Sequence, residues 1–105
     1  MRRGEVWWAE LPPPTGRRPV VLLSRDAAYP VRTSVTVTPI TRTIRDIPVE
    51  VSLGKEDGMP VPCVVKTDDI LTIPKARLTE RLTTLSSEKM RAVAKAIVFA
   101  LDLRI

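Results

Sequence analysis

Two arginines, Arg17 and Arg18, stand directly in front of the apolar run Val20–Leu23. An unbroken apolar run of this length is typical of a strand that is buried on both faces. A guanidinium at the edge of such a strand is held by the core on one side and open to solvent on the other. The arrangement provides a fixed cation for an anionic ligand, because a guanidinium donates paired hydrogen bonds to phosphates and carboxylates.

Thr41 closes the segment Ser34–Thr41, whose β-branched residues alternate with period two and predict a strand. If this strand pairs antiparallel with the strand that Arg18 opens, the two residues lie at the same end of the sheet. A guanidinium and a hydroxyl that converge on one spot suit a phosphate. The residue types alone leave phosphate binding and phosphate cleavage both open.

The chain has no histidine and a single cysteine, Cys63. The lack of histidine excludes most metal sites and every Ser-His-Asp triad, and neither a metal nor a cofactor is expected. Proton transfer would therefore fall to water, a carboxylate or an arginine. Cys63 lies in an apolar run and is predicted to be a buried, inert thiol.

The net charge of +5 favours a polyanionic partner such as nucleic acid. Residues 1–45 hold eight arginines, no lysine and three acidic residues, whereas residues 46–105 hold nine basic and nine acidic residues. The excess positive charge therefore belongs to the N-terminal part of the chain, which contains Arg17, Arg18 and Arg42.

The remaining patterns predict an α+β, mainly β, chain that forms one domain over residues 1–105. We expect a small, strongly twisted antiparallel sheet or partial barrel, capped by a C-terminal helix that begins after the N-cap Ser86. The apolar stripe of this helix comprises Met90, Val93, Ala94, Ile97, Val98 and Leu101. The predicted strands are Glu5–Leu11, Val20–Ser24, Ser34–Thr41, Ile47–Ser52, Val61–Lys66, Asp68–Pro74 and Leu78–Leu85.

Several local features carry their own predictions. Trp7 and Trp8 are adjacent and must point to opposite faces of the first strand. The Pro12–Pro14 run favours a stiff polyproline II arm. Pro39 is expected to place its strand at a sheet edge or to introduce a bulge, because proline lacks an N–H. Ser24 is a candidate N-cap for a short helical turn over residues 25–29.

No signal peptide is predicted at the N-terminus, and no apolar run approaches the ~20 residues of a membrane span. A cytoplasmic protein is expected.

In order and spacing, motifs along nearly the whole chain resemble those of MazF/PemK-type toxins. The matching motifs are Arg3–Trp7, Arg18–Val21, Ser24 with Asp26, Pro39–Thr41, Asp69–Ile70, Lys75–Leu78 and the closing helix preceded by Leu85–Ser86.

The resemblance implies a CcdB/MazF-like barrel with an SH3-like core that acts as a homodimer. It implies a metal-independent endoribonuclease that cuts single-stranded RNA at short sequences and leaves a 2′,3′-cyclic phosphate and a 5′-OH. A cognate antitoxin would inhibit the enzyme by laying an extended peptide along the dimer groove. The family's catalytic pair falls on Arg18 and Thr41, and we expect Arg17, Arg42 and Asp69 to contact RNA.

The chain departs from the family pattern at three places. The family's loop before Arg-Pro usually carries a glutamate, but here Gly16 and Arg17 lead directly into Arg18, so no loop glutamate supplies an acid or a base. Arg25 stands where the family usually has Asn, and Asp69 stands where Gln is common. No cleavage sequence can therefore be carried over from the family.

Two other functions fit the same fold. A gyrase-poisoning toxin would carry a Trp-containing C-terminal tail, and residues 101–105 lack Trp, which counts against this reading. A non-catalytic nucleic-acid-binding barrel would bind RNA with strong salt dependence and leave it intact.

Overall fold

The computed structural model describes residues 1–104, and this part of the chain folds as a seven-stranded antiparallel sheet with one C-terminal α-helix. Three short 3-10 helices lie at Asp26–Ala28, Lys55–Asp57 and Lys75–Arg77. The long elements are β1 (Glu5–Glu10), β2 (Arg17–Leu22), β3 (Ser34–Thr41), β4 (Glu50–Leu53), β5 (Cys63–Lys66), β6 (Leu71–Pro74), β7 (Leu78–Thr84) and α1 (Ser87–Ala100). The predicted fold class is confirmed. Ile105, the last residue of the Trp-free tail, lies outside the described residues.

The strands follow the order β4-β5-β3-β2-β1-β7, and β6 pairs with β3 beside β5. The sheet does not close on itself, as expected for a partial barrel. β2 and β3 are its central strands. Each has strands on both sides, so neighbouring strands can contribute side chains to a site at their ends.

β2 is buried on both faces, as its apolar run predicted. Val20 and Val21 are both 0% exposed, and they belong to different core clusters on the two sides of the sheet. The strand begins earlier than predicted, because Arg17 and Arg18 already pair with Glu10 and Ala9 of β1. Both arginines are therefore fixed by backbone pairing rather than carried on a loop.

β3 also runs through the middle of the sheet, so the prediction that Pro39 marks an edge or a bulge was wrong. On the side away from β2, β3 pairs with β6 as far as Val37 and with β5 from Ile40 onward. Pro39 falls in the gap between these two ladders, where no N–H is needed. The proline is tolerated because the strand changes partner there.

The C-terminal helix is confirmed with its predicted cap. The Ser86 hydroxyl accepts a hydrogen bond from the backbone N–H of Lys89 at 3.1 Å. The buried positions differ in part from the predicted stripe. Val93 and Ala96 are buried, whereas Leu101 is 52% exposed because the helix ends at Ala100.

Ser24 does not cap the turn that follows it. Its hydroxyl accepts a hydrogen bond from the N–H of Thr36 at 2.9 Å, and the 3-10 helix begins after Arg25 without a side-chain cap. The Pro12–Pro14 run is also not an extended arm. It lies in a tight turn in which Thr15 N donates to Pro12 O at 3.1 Å, so Thr15 is folded back toward β2.

The predicted fourth, fifth and sixth strands all begin too early. β4 starts at Glu50 rather than Ile47, β5 at Cys63 rather than Val61, and β6 at Leu71 rather than Asp68. In each case the predicted strand includes residues that lie in the loop before the observed strand. Within residues 1–104, no helix is both long and apolar enough to cross a membrane.

Candidate active-site groove

Arg18 and Thr41 lie at the same end of the sheet, as the antiparallel pairing of their strands requires. The β2–β3 ladder pairs Val20 with Pro39 and Val21 with Thr38. Continued by two residues, this register sets Arg18 opposite Thr41. Both side chains line one cavity of about 260 Å³, which we call the inner cavity.

The hydroxyl of Thr41 is oriented by its own loop. The backbone N–H of Thr43 donates to Thr41 Oγ1 at 3.1 Å. The hydroxyl oxygen therefore uses one lone pair on the backbone and keeps its proton for another acceptor. A phosphate oxygen in the inner cavity is such an acceptor.

Arg18 is half-buried at the start of β2. Among residues 1–104, it forms no salt bridge and donates no side-chain hydrogen bond to the protein. A guanidinium that is held by its strand but not neutralised keeps its donors for a ligand. Arg18 is thus the cation that the sequence predicted, in a position to bind an anion.

Three further charged residues complete the inner cavity, and sequence reasoning missed all of them as site residues. They are Arg45, Glu50 and Lys66. Glu50 and Lys66 are register partners across β4 and β5. Lys66 follows an apolar run and Glu50 lies within an alternating segment, but neither pattern says which cavity the side chain lines.

Asp69 lines the inner cavity as well, but it is paired. Its Oδ2 lies 3.0 Å from Lys66 Nζ, and half of its side chain is exposed. The predicted contact of Asp69 with RNA would therefore be made by a carboxylate that already binds a cation. With Arg18, Arg45 and Lys66 against Glu50 and Asp69, the cavity has a net positive lining.

A second, larger cavity of about 710 Å³ adjoins the inner cavity, and we call it the outer groove. The two share Thr15, Arg18 and Thr41 as lining residues. Arg17 and Arg42 line the outer groove only. All five residues predicted for the site therefore lie along one continuous depression, and their roles stay predictions.

Trp8 and Arg17 form one wall of the outer groove. The Arg17 guanidinium carbon lies 4.2 Å from the centroid of a Trp8 ring, the geometry of a cation–π contact. Arg17 also lies 3.7 Å from Glu10 and 4.0 Å from Glu80. Trp7 packs instead against the apolar cluster on its side of the sheet, so the adjacent tryptophans do point to opposite faces.

Cys63 is buried and free, as predicted. Burial raises the pKa of its thiol, and the charge of Asp57 raises it further. The thiolate that nucleophilic chemistry needs is therefore disfavoured.

The sequence of this chain matches the model of a known protein family. The family model for PemK-like, MazF-like toxins of type II toxin–antitoxin systems matches residues 2–101. The chain belongs to this family.

Similar proteins include named endoribonucleases and toxins whose structures have been solved. The chain is 44% identical over 101 residues to the probable endoribonuclease MazF5 of Mycobacterium tuberculosis, covering 95% of this chain and 92% of that one. It superposes on the Mycobacterium tuberculosis toxin MazF-mt6 with a TM-score of 0.89 and 36% identity, covering 96% and 99% of the two chains. A mycobacterial endoribonuclease solved in complex with its cognate antitoxin gives a TM-score of 0.88 at 28% identity, covering 100% and 98%.

Proposed function

We propose that this protein is the toxin of a type II toxin–antitoxin pair and a metal-independent endoribonuclease that cuts single-stranded RNA at short sequences. The observation that carries the proposal is the placement of Arg18 opposite Thr41 at the wall of a positively lined cavity. Family membership and the named endoribonucleases among its relatives support the same activity.

The reaction that suits these groups is attack by the substrate's own 2′-OH on the adjacent phosphorus. It yields a 2′,3′-cyclic phosphate and a 5′-OH, and the charge that must be stabilised is that of the pentavalent phosphorane. Arg18 supplies paired N–H donors to the equatorial oxygens, and the Thr41 hydroxyl adds a neutral donor. The Thr41 hydroxyl is oriented by the Thr43 N–H, and the backbone of Arg18 is held by its pairing with β1.

The outer groove is suited to the nucleotides that flank the cleaved bond. Arg17 stacks one face on Trp8, and its side chain is about half exposed, so the other face is open to a base. Arg42 is exposed at the same groove and is available to a phosphate. These residues bind and orient RNA; they do not take part in bond breaking.

The proposal includes the partners that the family implies. We infer a homodimer, and inhibition by an antitoxin that lays an extended peptide along the groove. The complex of a related mycobacterial endoribonuclease with its cognate antitoxin supports this inference. The site of action proposed is the cytoplasm, where the RNA substrate is found.

The test is digestion of a sequence-diverse, end-labelled single-stranded RNA in EDTA, followed by mapping of both new ends. We expect cleavage at a few sites with cyclic phosphate and 5′-OH ends. Removing one donor to the developing charge costs about 10²–10³-fold in rate, so Arg18→Ala and Thr41→Val should each lower the single-turnover rate by at least this factor.

Arg91→Ala is the matched control, because Arg91 is an exposed arginine on α1 away from the groove. It should cleave at the wild-type rate. Cleavage that is unaffected by Arg18→Ala would contradict the proposal. Intact RNA that binds with steep salt dependence would instead identify a non-catalytic RNA-binding barrel.

A further inference from the structure

The wall of the inner cavity formed by β4 holds a carboxylate, Glu50, for which the catalytic pair gives no role. Arg18 reaches the cavity from β2 and Glu50 reaches it from β4, with β3 and β5 between them. A phosphate in the cavity therefore has the Arg18 guanidinium on one side and, on the other, the Glu50 carboxylate beside its register partner Lys66. At about 260 Å³, the inner cavity is smaller than the ~300–1,000 Å³ of ordinary ligand pockets.

Attack by a 2′-OH requires removal of its proton, and few groups on this chain can take it. The chain has no histidine, and its one thiol is buried with a raised pKa. Glu50 and Asp69 are the carboxylates that line the inner cavity within residues 1–104. Asp69 is bound to Lys66 at 3.0 Å, which makes it the poorer acceptor for a substrate proton.

Glu50 is held in one orientation by the loop that precedes it. Its Oε1 accepts hydrogen bonds from Arg45 N at 3.0 Å and Asp46 N at 2.9 Å. Its Oε2 has only a 3.3 Å contact with the same Arg45 N. The loop turns back sharply at Asp46, whose φ of 55° lies in the left-handed region that Asp tolerates. One oxygen thus anchors the carboxylate, and the other keeps lone pairs for the cavity.

We propose that Glu50 is the general base of the ribonuclease reaction, an inference that rests on the function proposed above. Glu50 Oε2 accepts the proton of the 2′-OH while the O2′–P bond forms. The P–O5′ bond breaks, and the departing 5′ oxygen takes a proton from water to become the 5′-OH. The protonated Glu50 then returns its proton to water. This chain has no glutamate in the loop before Arg18. Glu50 supplies the proton acceptor instead.

Glu50→Gln is the discriminating variant. A glutamine oxygen still accepts the hydrogen bonds from Arg45 N and Asp46 N, so the loop keeps its anchor, but the amide cannot take a proton. Positioned general bases contribute about 10²–10⁴-fold in rate. We expect Glu50→Gln to lower the single-turnover cleavage rate by a factor in this range.

Binding is measured separately with an RNA that carries a 2′-deoxynucleotide at the mapped cleavage site and is therefore not cleaved. We expect Glu50→Gln to bind this RNA within threefold of the wild type. Glu50→Asp keeps a carboxylate on a shorter side chain and should retain more activity than Glu50→Gln. Glu56→Gln is the matched control, because Glu56 is exposed on the 3-10 helix between β4 and β5 and does not line the cavity.

Each outcome supports or overturns the assignment of Glu50 as the general base. If Glu50→Gln cleaves within threefold of the wild type, Glu50 only positions the loop and the inference fails. If its loss of activity equals its loss of affinity, Glu50 acts in RNA binding and the inference also fails. In both cases the proposed ribonuclease stands, provided that the wild type cuts RNA and Arg18→Ala does not. A wild type that cuts no RNA overturns both proposals.

Discussion

Glu5 lies at the first position of β1 with a side chain that is only 10% exposed, and its carboxylate is bound on both oxygens. Trp7 Nε1 donates to Oε1 at 2.9 Å, and Arg81 lies 3.7 Å from Oε2. Burial by itself raises the pKa of Glu5. The hydrogen bonds from Trp7 and the Arg2 backbone, with the charges of the N-terminus and Arg81, outweigh burial and lower it below the ordinary 4.5.

This lowered pKa predicts an acid-sensitive fold. As pH falls below about 4.5, the unfolded chain takes up a proton on Glu5 before the folded chain does, so the free energy of unfolding decreases. Above that pH the stabilisation is fully present. Glu5→Gln should be less stable than the wild type at pH 7 and should show a weaker loss of stability between pH 5 and pH 3, as measured by urea unfolding at each pH.

Glu56→Gln serves as the comparison in the urea series, because Glu56 is exposed. It should reproduce the wild-type pH profile. An unchanged profile in Glu5→Gln would show that Glu5 does not cause the acid sensitivity.

At the residue scale, the sequence pointed to Arg18 because it stands before an unbroken apolar run, and to Thr41 because it ends a strand with clear period-two alternation. Arg17 and Arg42 follow from the same strand ends. Glu50 was not identified as a site residue, because its place in the cavity depends on how the loop of residues 42–49 folds back over β4. The backbone turn at Asp46 that sets this geometry has no pattern in the sequence.

At the element scale, the connection from β4 to β5 is locked onto β7 through Gly58. Gly58 has a φ of 87°, and a Cβ at this position would overlap the side chain of Thr83. The Thr83 hydroxyl also donates to the carbonyl of Asp57 at 3.1 Å. The connection therefore has room for glycine only.

Gly58→Ala is predicted to destabilise the protein by more than the ~1–3 kcal/mol of a left-handed backbone alone, because Thr83 must also move. Gly16→Ala is the matched control. Gly16 also has a positive φ, 69°, but an added Cβ would meet no atom within 4 Å. Thermal unfolding of the two variants should therefore show the larger loss for Gly58→Ala. Equal losses would mean that backbone strain alone sets the cost.

The elements themselves were largely predictable, but the starting points of β2, β4, β5 and β6 were not. β3 was predicted with its observed bounds because β-branched alternation runs along the whole strand. The predicted fourth strand began at Ile47, three residues before β4, since alternation alone cannot distinguish a strand from an extended loop. Pro39 was misplaced at an edge for a related reason: the change of partner from β6 to β5 is a property of the whole sheet.

At the scale of the whole molecule, several arginines lie together along the groove. The outer groove includes Arg17, Arg18 and Arg42, all from the arginine-rich residues 1–45. Binding of RNA to such a surface releases counterions, so affinity depends on the number of phosphates neutralised.

The affinity for uncleaved RNA should therefore fall linearly with salt on a double-logarithmic plot, with a slope of about −0.7 for each phosphate contacted. Arg42→Ala should reduce the magnitude of this slope by roughly one contact, because Arg42 is exposed and lines the groove. Fluorescence anisotropy at a series of salt concentrations measures the slope. Arg91→Ala should leave it unchanged, and a similar change in both variants would mean that the groove does not dominate binding.

The change of partner at Pro39 also makes the groove a composite of two blocks. Arg18 lies on the block that contains β1, β2 and β7, whereas Glu50 and Lys66 lie on the β4–β5 hairpin. Only two residue pairs of β3, Ile40 with Val65 and Thr41 with Val64, join the hairpin to that block through the sheet. The distance from Arg18 to Glu50 therefore depends on the contacts that hold the hairpin in place, which include the Thr38–Lys66 and Thr83–Asp57 hydrogen bonds. The groove is therefore complete only when the β4–β5 hairpin and the rest of the sheet are packed together.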